Sequence, residues 1–194
     1  MTVFFTGCGV LDYDSRLTSR SVLYLGGALD PAAASENDIA EAKSYWDGEG
    51  LAGPVSIVIN IKQQTASLYK GDKLAGVSAI SSGRSGYDTP PGNYTILQKC
   101  DKNYASNLYG DFKDANGNLV KRDVSSKDPV PPGARFVGSP MPYFMRLTTG
   151  GVGMHQGFIP GIPDSHGCIR MPHRMAQIFS ANVELGTPVQ IVSH

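Results

Sequence analysis

The first clear periodicity in the chain predicts a helix. Ile39 and Trp46 are spaced for one helical face, and Ser35 and Asp38 have the spacing of a capping box just before it. We therefore predict a helix over about residues 35–46. Trp46, the only tryptophan, should anchor this helix on the core, because large aromatic side chains are mostly buried.

From residue 54 onwards, short apolar runs alternate with turn residues, which is typical of β-strands. The β-branched run 55–61 predicts a buried strand. Two further runs, 66–70 and 73–78, flank a Gly-Asp turn and predict a hairpin. The remaining predicted elements are strands over 93–98, 141–147 and 188–192 and a helix that begins at Pro172 and ends near Gly186.

The composition agrees with a turn-rich β protein. The chain has 23 glycines and 13 prolines in 194 residues, which favours β architecture over a helix bundle. The 17 basic and 17 acidic residues cancel, whereas nucleic-acid-binding proteins normally carry a basic surplus. No run approaches the roughly 20 apolar residues of a membrane-spanning helix. The length suits one domain with a substantial core and is short for two.

Two segments lie outside these predicted strands. Residues 1–50 form an N-terminal extension that runs into a linker containing Gly and Pro. Residues 99–135 are polar and irregular, and an insertion of this length is usually either disordered or functional.

The N-terminal extension contains one feature with a possible membrane role. The segment Phe5–Cys8 resembles the lipobox at the end of a bacterial lipoprotein signal, in which the cysteine is lipidated and becomes the new N-terminus. A lipidated Cys8 would anchor the protein to a membrane. The other interpretation is an ordinary apolar N-terminal strand, and the residues leave both open.

The candidate chemistry is concentrated in residues 154–172. Cys168 lies there in a Ser-His-Gly-Cys run, and three of the four histidines, His155, His166 and His173, lie in or beside this stretch. A thiol attacks as its thiolate, and a nearby imidazole can accept its proton and later return it to a leaving amine. Gly and Pro residues between His155 and Cys168 allow the chain to fold back. We therefore predict that His155, rather than His166, is the base.

The residues next to Cys168 indicate how an intermediate and a substrate would be held. Gly167 permits an unusual backbone geometry, and a turn there would expose the N–H groups of Gly167 and Cys168 to an oxyanion. Arg170 lies on the same side as Cys168 if the segment is extended. A guanidinium in that position would suit a substrate carboxylate.

Two other interpretations of this stretch remain open. Cys168 could be an inert buried thiol. With His155, His166 and His173 it could instead bind zinc, although the spacing fits no standard Cys/His zinc pattern. The glycine-containing loop 81–86 lacks the Lys and Ser/Thr of a phosphate-binding loop, and no cofactor is predicted.

The same residues resemble a known family signature. His155, followed by Ser-His-Gly-Cys-Ile-Arg over residues 165–170, is similar to the signature of the L,D-transpeptidase catalytic domain (the YkuD or ErfK group). Thr89–Tyr94 resembles the Thr-Pro-x-Gly-x-Phe/Tyr segment of that family. The resemblance covers about residues 54–193. It implies a mostly β, YkuD-like β-sandwich or open barrel with a few short helices, preceded by the extension 1–50.

The resemblance also implies a role for each residue of the stretch. Cys168 is the nucleophile and His155 the base, and the backbone carbonyl of Gln156 orients the imidazole. The insertion 99–135 stands where the family often carries a flap that covers the substrate. The other implied site residues are Ser165, His166, Gly167 and Cys168 for the site wall and oxyanion hole, and Tyr143, Met154 and Arg170 for substrate binding.

The implied activity is a two-step acyl transfer on peptidoglycan in the periplasm or cell envelope of a bacterium, which contributes to cell-wall organisation and cell shape. The thiol attacks the stem peptide after its third residue, the terminal D-alanine leaves, and a thioester remains. An amine of a second stem, or of an envelope lipoprotein, then resolves the thioester.

Two departures from the family pattern leave the acceptor of the acyl group open. The interval from His155 to Ser165 is shorter than in the common family pattern, and Arg170 stands where that pattern has Asn. Water as the acceptor would make the protein an L,D-carboxypeptidase. A third interpretation is a catalytically inactive peptidoglycan-binding protein in which Cys168 is paired with Cys100 in a disulfide.

Overall fold

The computed structural model describes residues 35–100 and 103–193. The lipobox-like segment ending in Cys8 lies outside these residues. Within them, no helix is long and apolar enough to cross a membrane. The described chain is mostly β, with strands arranged in three sheets and two helices beside them. This confirms the fold class expected from the sequence.

The N-terminal helix forms where it was predicted but ends earlier. Helix α1 (Glu36–Ala42) begins at Ser35, whose hydroxyl accepts a hydrogen bond from the Asp38 N–H at 3.3 Å. The Asp38 carboxylate accepts one from the Ser35 N–H in return, which completes the predicted capping box. The prediction that the helix continues to residue 46 is wrong, because the chain turns after Lys43.

The segment after α1 is a strand that joins the main sheet. The Ser44 hydroxyl holds the turn, since it donates to the Ala40 carbonyl at 2.7 Å and accepts from the Ala79 N–H at 2.9 Å. Strand β1 (Tyr45–Trp46) follows, and the Trp46 ring packs against the hydrophobic core as expected. A side chain at Gly76 would collide with this ring, so the indole lies directly on the backbone of the neighbouring strand.

The largest sheet has six strands. They are β1, β2 (Val55–Asn60), β3 (Thr65–Lys70), β4 (Lys73–Ala79), β5 (Gly92–Thr95) and β13 (Pro188–Val192), in the spatial order β1-β4-β3-β2-β13-β5. Neighbouring strands are antiparallel except for β2 and β13, which are parallel. The β3–β4 pair is the predicted hairpin, and it turns at Gly71 with a φ of +58°.

A second sheet faces the first across the core and carries the predicted site. Its strands are β6 (Gln98–Lys99), β10 (Met145–Arg146), β11 (Gly153–Gln156) and β12 (Ile169–Met171), in the order β12-β11-β10-β6. Helix α2 (His173–Asn182) follows β12 and ends before the predicted Gly186. The predicted strand over 141–147 is shortened to β10, because Tyr143 adopts a left-handed φ of +58°. Residues buried in the core from both sheets and α2 include Ile57, Leu68, Met154, Ile169, Met175, Phe179 and Val189.

A third sheet is built from residues that the sequence analysis treated as irregular. We call residues 104–140 the flap. It contains β7 (Ala105–Lys113), β8 (Leu119–Ser125) and β9 (Arg135–Pro140), in the order β8-β7-β9. Phe112 and Val124 are fully buried within it. The flap is therefore an ordered element with its own small apolar centre.

Candidate active site

Strand register brings His155 close to the segment that carries Cys168. Strands β11 and β12 are parallel, and His155 lies opposite Arg170. Successive side chains along each strand point to opposite faces of the sheet. Met154 and Ile169 point into the core, whereas His155 and Arg170 line a cavity together with Cys168, which precedes β12. The chain segment between the two strands thus folds back as the sequence predicted.

The turn before Cys168 is held by side-chain hydrogen bonds. Gly167 has a φ of +103°, a conformation that favours glycine. The Ser165 hydroxyl accepts from the Gly167 N–H at 3.1 Å and donates to the Cys168 carbonyl. The Thr89 hydroxyl donates to the Gly167 carbonyl at 2.9 Å and accepts from the Gly83 N–H at 2.8 Å. The Thr-Pro segment therefore supports the nucleophile turn, a contact that neither motif reveals by itself.

The Gly167 N–H is not available to an oxyanion, contrary to the expectation from the sequence. That N–H is occupied by the Ser165 hydroxyl. The Cys168 N–H makes no hydrogen bond to any residue in the described ranges. Of the two expected donors, only the Cys168 N–H is available for an incoming oxygen.

The Cys168 thiol is held in its neutral form. Burial raises the pKa of the thiol. A hydrogen bond from the Gly153 backbone and the charges of Arg146 and Arg170 act in the opposite direction and offset only part of this effect. The thiol donates to the Gly151 carbonyl at 3.6 Å. The resting site therefore holds a thiol rather than a thiolate, and a nucleophilic role would require a base.

His155 has the properties of that base. Its side chain is buried, and its Nδ1 lies 2.7 Å from the Gln156 carbonyl oxygen. A carbonyl can only accept, so Nδ1 carries the hydrogen and Nε2 is left with its lone pair. Burial lowers the pKa of His155 to about 4, with the Gln156 hydrogen bond acting in the opposite direction. The ring is therefore neutral at pH 7 and can accept a proton at Nε2.

The cavity around Cys168 has a volume of about 220 Å³ and is closed on one side by the flap. Five of the residues that the sequence analysis assigned to the site line it: His155, Ser165, His166, Cys168 and Arg170. Residues of the flap and of the neighbouring strands complete the lining, among them Tyr104, Tyr109, Phe144, Arg146 and Gly151.

Two predicted substrate-binding residues do not line this cavity. Met154 is fully buried in the hydrophobic core, because strand alternation directs it to the face opposite His155. Tyr143 lies in the break before β10, and its ring packs edge-on against His173 at 5.6 Å. Both assignments are corrected: these side chains support the fold next to the site.

His166 forms a wall of the cavity and joins it to the flap. Its ring stacks on Tyr109 of the flap at 4.2 Å and meets Tyr87 edge-on at 4.7 Å. The Arg84 Nη2 lies 2.8 Å from the His166 Nε2. The Asp123 Oδ1, which belongs to the flap, lies 3.2 Å from the same nitrogen. Burial lowers the pKa of His166, although Asp123 acts to raise it. The neutral ring accepts from Arg84, so the hydrogen is on Nδ1. We use the name clasp for this group of five residues: Arg84, Tyr87, Tyr109, Asp123 and His166.

Arg170 is tied to the loop that connects the two active-site strands. Its Nη1 donates to the Asp164 carboxylate at 2.8 Å and its Nη2 to the Asp164 carbonyl at 2.9 Å. Its aliphatic stem covers Gly157, where a Cβ would approach the Arg170 Cγ to 2.9 Å. Arg170 thus fastens both ends of the loop 157–164. In this arrangement its guanidinium already has a carboxylate partner.

Arg146 is a cavity residue that the sequence analysis missed. It lies on β10, and its guanidinium is within reach of Tyr104 and Gln98. The available signal was its position as the only charged residue in the otherwise apolar run 141–147. A charged side chain within an otherwise apolar predicted strand indicates a candidate site residue, because charged residues are rarely buried without a partner.

The alternatives of a metal site and a disulfide find no support in the described residues. Within residues 35–100 and 103–193, no group of three or more His, Cys, Asp or Glu side chains is arranged to hold a metal ion. Cys100 and Cys168 are both free thiols, and Cys100 instead contacts the Gln98 amide at 3.3 Å. The thiol of Cys168 is therefore available for chemistry.

Comparison with known proteins identifies the family. A family model of the L,D-transpeptidase catalytic domain (YkuD) matches residues 54–191. The chain belongs to the L,D-transpeptidase family. The likeness noted from His155, Cys168 and the Thr-Pro segment is thereby confirmed. No curated protein matches the sequence at a significant level.

Solved L,D-transpeptidases share the fold. An enzyme from Mycobacterium smegmatis is 21% identical, with a TM-score of 0.53 over 72% of this chain and 59% of that one. L,D-transpeptidase 3 from Mycobacterium tuberculosis, solved with a faropenem-derived adduct, is 25% identical, with a TM-score of 0.52 over 71% and 59%. A Cys-to-Ser mutant of the Enterococcus faecium enzyme is 24% identical, with a TM-score of 0.51 over 73% and 50%. The match spans only 50–59% of these proteins' length.

Proposed function

We propose that this protein is a cysteine-dependent L,D-transpeptidase that acts on peptidoglycan stem peptides. The observation that carries the proposal is that Cys168 and the buried His155 line the same cavity. The hydrogen bond from Nδ1 to the Gln156 carbonyl leaves Nε2 of His155 free to accept a proton. The family match to the L,D-transpeptidase catalytic domain supplies the reaction type.

The first step is acylation of the thiol. The Cys168 proton moves from its hydrogen bond with Gly151 to Nε2 of His155 as Sγ attacks the carbonyl carbon of the third stem residue. The tetrahedral intermediate collapses when the C–N bond breaks and the imidazolium returns the proton to the departing nitrogen. D-alanine leaves with its amine, and the stem remains attached to Cys168 as a thioester.

The negative oxygen of this intermediate needs a hydrogen-bond donor. The Cys168 N–H is without a partner in the described residues and lies at the turn fixed by Ser165 and Thr89. A preorganised donor of this kind contributes about 3–4 kcal/mol to a reaction barrier. We assign the oxyanion contact to this group.

The second step transfers the acyl group to an acceptor. A neutral amine attacks the thioester carbon, His155 takes the surplus proton from the amine, and the proton returns to the departing sulfur. A new amide is formed and the enzyme is restored. We propose the amine of a second stem as the acceptor, with an envelope lipoprotein amine or water as the alternatives that product analysis distinguishes.

The proposed substrate sets the expected location. Peptidoglycan lies outside the cytoplasmic membrane, so the protein would act in the periplasm or cell envelope, where its crosslinks contribute to wall organisation and cell shape. Lipidation of Cys8 would tether it there.

Product analysis on purified muropeptides tests the proposal. Incubation with disaccharide tetrapeptides should release D-alanine and yield crosslinks between third-position residues. Cys168→Ala should abolish both products, whereas Cys100→Ala is the matched control and should retain them. Release of D-alanine without crosslinks would indicate the carboxypeptidase reaction. Unchanged tetrapeptides with the wild-type protein would contradict the proposal.

A further inference from the structure

Arg146 is positioned as a ligand-binding cation in the active-site cavity. It lies on β10, between β6 and β11, and lines the cavity that contains Cys168 and His155. A Cβ built on Gly151 would lie 3.8 Å from its Nη1, and the Gly151 carbonyl is the group that accepts the Cys168 hydrogen bond. The guanidinium is therefore near the nucleophile.

Neutral groups hold Arg146 in one orientation. Its Nε donates to the Gln98 side-chain oxygen at 2.8 Å, and its Nη2 donates to the Tyr104 hydroxyl at 2.8 Å. The guanidinium carbon lies 5.1 Å from the centre of the Phe144 ring, a cation–π contact. These contacts occupy two of the five N–H groups and leave both hydrogens of Nη1 and one of Nη2 for another partner.

The two other arginines near the cavity already have a carboxylate partner within the protein. Arg84 pairs with Asp123 and Arg170 with Asp164. Arg146 forms no ion pair with a carboxylate in the described part of the chain. A half-buried cation held by neutral partners is suited to a carboxylate that arrives with the substrate.

The chemistry of the proposed reaction provides such a carboxylate. The leaving residue of the donor stem carries a free carboxylate, which is separated from the scissile nitrogen by a single carbon. A group that binds it must therefore lie beside the nucleophile. The charge of Arg146 lowers the pKa of the Cys168 thiol, in agreement with this proximity.

We propose that Arg146 binds the terminal carboxylate of the donor stem and thereby selects stems that end in a free D-amino acid. This inference rests on the function proposed above. The free Nη1 and Nη2 hydrogens can bind the two carboxylate oxygens side by side, which lysine cannot reproduce. Tyr104 and Gln98 are positioning residues for the guanidinium.

The test compares two donors that differ only at this group: a tetrapeptide stem with a free terminal carboxylate and the same stem with a terminal carboxamide. The readout is kcat/KM for acylation of Cys168, followed by intact mass. The wild-type protein should prefer the carboxylate by roughly 10- to 100-fold, the range expected for charged hydrogen bonds. Arg146→Gln should lose that preference, so that its rates with the two donors agree within about threefold.

Further variants separate binding from other roles of Arg146. Arg146→Lys keeps the charge but not the planar fork and should recover only part of the preference. Arg174→Gln is the control, because Arg174 pairs with Glu41 away from the cavity, and it should behave like wild type. Loss of the positive charge near the thiol would slow both donors equally, so the ratio of the two rates reports on recognition alone.

The outcomes are distinguishable. Equal slowing of both donors in Arg146→Gln, or an unchanged ratio, would overturn the role of Arg146 while leaving the proposed function intact. The side chain of the third stem residue can also carry a carboxylate, so a stem that lacks this group is a further donor. If Arg146→Gln no longer changes the acylation rate with that stem, Arg146 contacts the third residue instead of the terminal carboxylate. Absence of any Cys168 acylation in wild type and Arg174→Gln would overturn both proposals.

Discussion

At the scale of single residues, the proposed chemistry depends on which nitrogen of His155 carries the hydrogen. The Gln156 carbonyl fixes it on Nδ1, and burial keeps the ring neutral. The Cys168 thiol is also neutral, so the pair starts without charge and separates charge only during attack. This arrangement predicts a specific dependence of the rate on pH.

The acylation rate should fall in acid with an apparent pKa of about 4, where His155 becomes protonated and loses its lone pair. No increase from thiolate formation is expected near neutral pH, because burial raises the pKa of Cys168. His155→Gln should lower kcat/KM by roughly 10²- to 10⁴-fold. His166→Gln is the control, and its rate should fall in acid in the same way as the wild-type rate. An apparent pKa near the ordinary histidine value of 6.5 for this loss of rate would contradict the proposed role of His155.

The same histidine should make stability depend on pH. Its pKa is about 4 in the folded protein, below the ordinary value of 6.5, so the unfolded chain binds more protons between these values. The free energy of unfolding should therefore rise with pH through this window, and about 3 kcal/mol should be lost as pH falls from 6.5 to 4. Urea denaturation across this range should give a flatter profile for His155→Gln. Equal slopes for the two proteins would exclude this contribution.

At the scale of elements, the flap shows where sequence patterns stop being informative. The hairpin of β3 and β4 follows from an alternating pattern and a Gly-Asp turn. In the flap, β8 is exposed along most of its length, and register shifts interrupt its pairing with β7 near Gly110. Exposed polar strands with bulges lack the two-residue alternation that identifies a strand. The residues 99–135 therefore resembled an irregular loop.

The clasp should control access to Cys168. Tyr109 stacks on His166, whereas the Arg84–Asp123 ion pair is partly exposed to solvent and worth about 1 kcal/mol or less. Tyr109→Ala should therefore loosen the flap and speed alkylation of Cys168 several-fold, and Asp123→Asn should change it little. Cys100 is an internal control whose labelling rate should stay constant. If Tyr109→Ala leaves Cys168 labelling unchanged, the clasp does not hold the flap.

At the scale of the whole molecule, residues outside the family match are integrated into its main sheet. Strand β1 extends the six-stranded sheet, and α1 is tied to α2 through the Glu41–Arg174 ion pair. The sequence predicted the family and the mostly β fold, and it placed His155 near Cys168, because each of these rests on a local motif. It did not reveal the Thr89–Gly167 bond or the partners of Arg146, since both depend on contacts between distant segments.

Trp46 should stabilise the protein without affecting its chemistry. Its ring covers Gly76 and packs against the core at the edge of the sheet farthest from β5. Trp46→Ala should lower the free energy of unfolding by about 2–4 kcal/mol, measured by circular dichroism in urea. Acylation kinetics at a temperature where the variant is folded should match wild type. A selective loss of activity would mean that this edge contributes to the site.

The intact mass of the protein after brief mixing with a tetrapeptide stem tests the proposed thioester. We expect an adduct at Cys168 equal to the stem without its terminal D-alanine. This adduct should be absent from Cys168→Ala and strongly reduced in His155→Gln. Release of D-alanine by Cys168→Ala at the wild-type rate, or a wild-type protein that forms no adduct while its thiol remains reactive to alkylation, would contradict the proposed thioester.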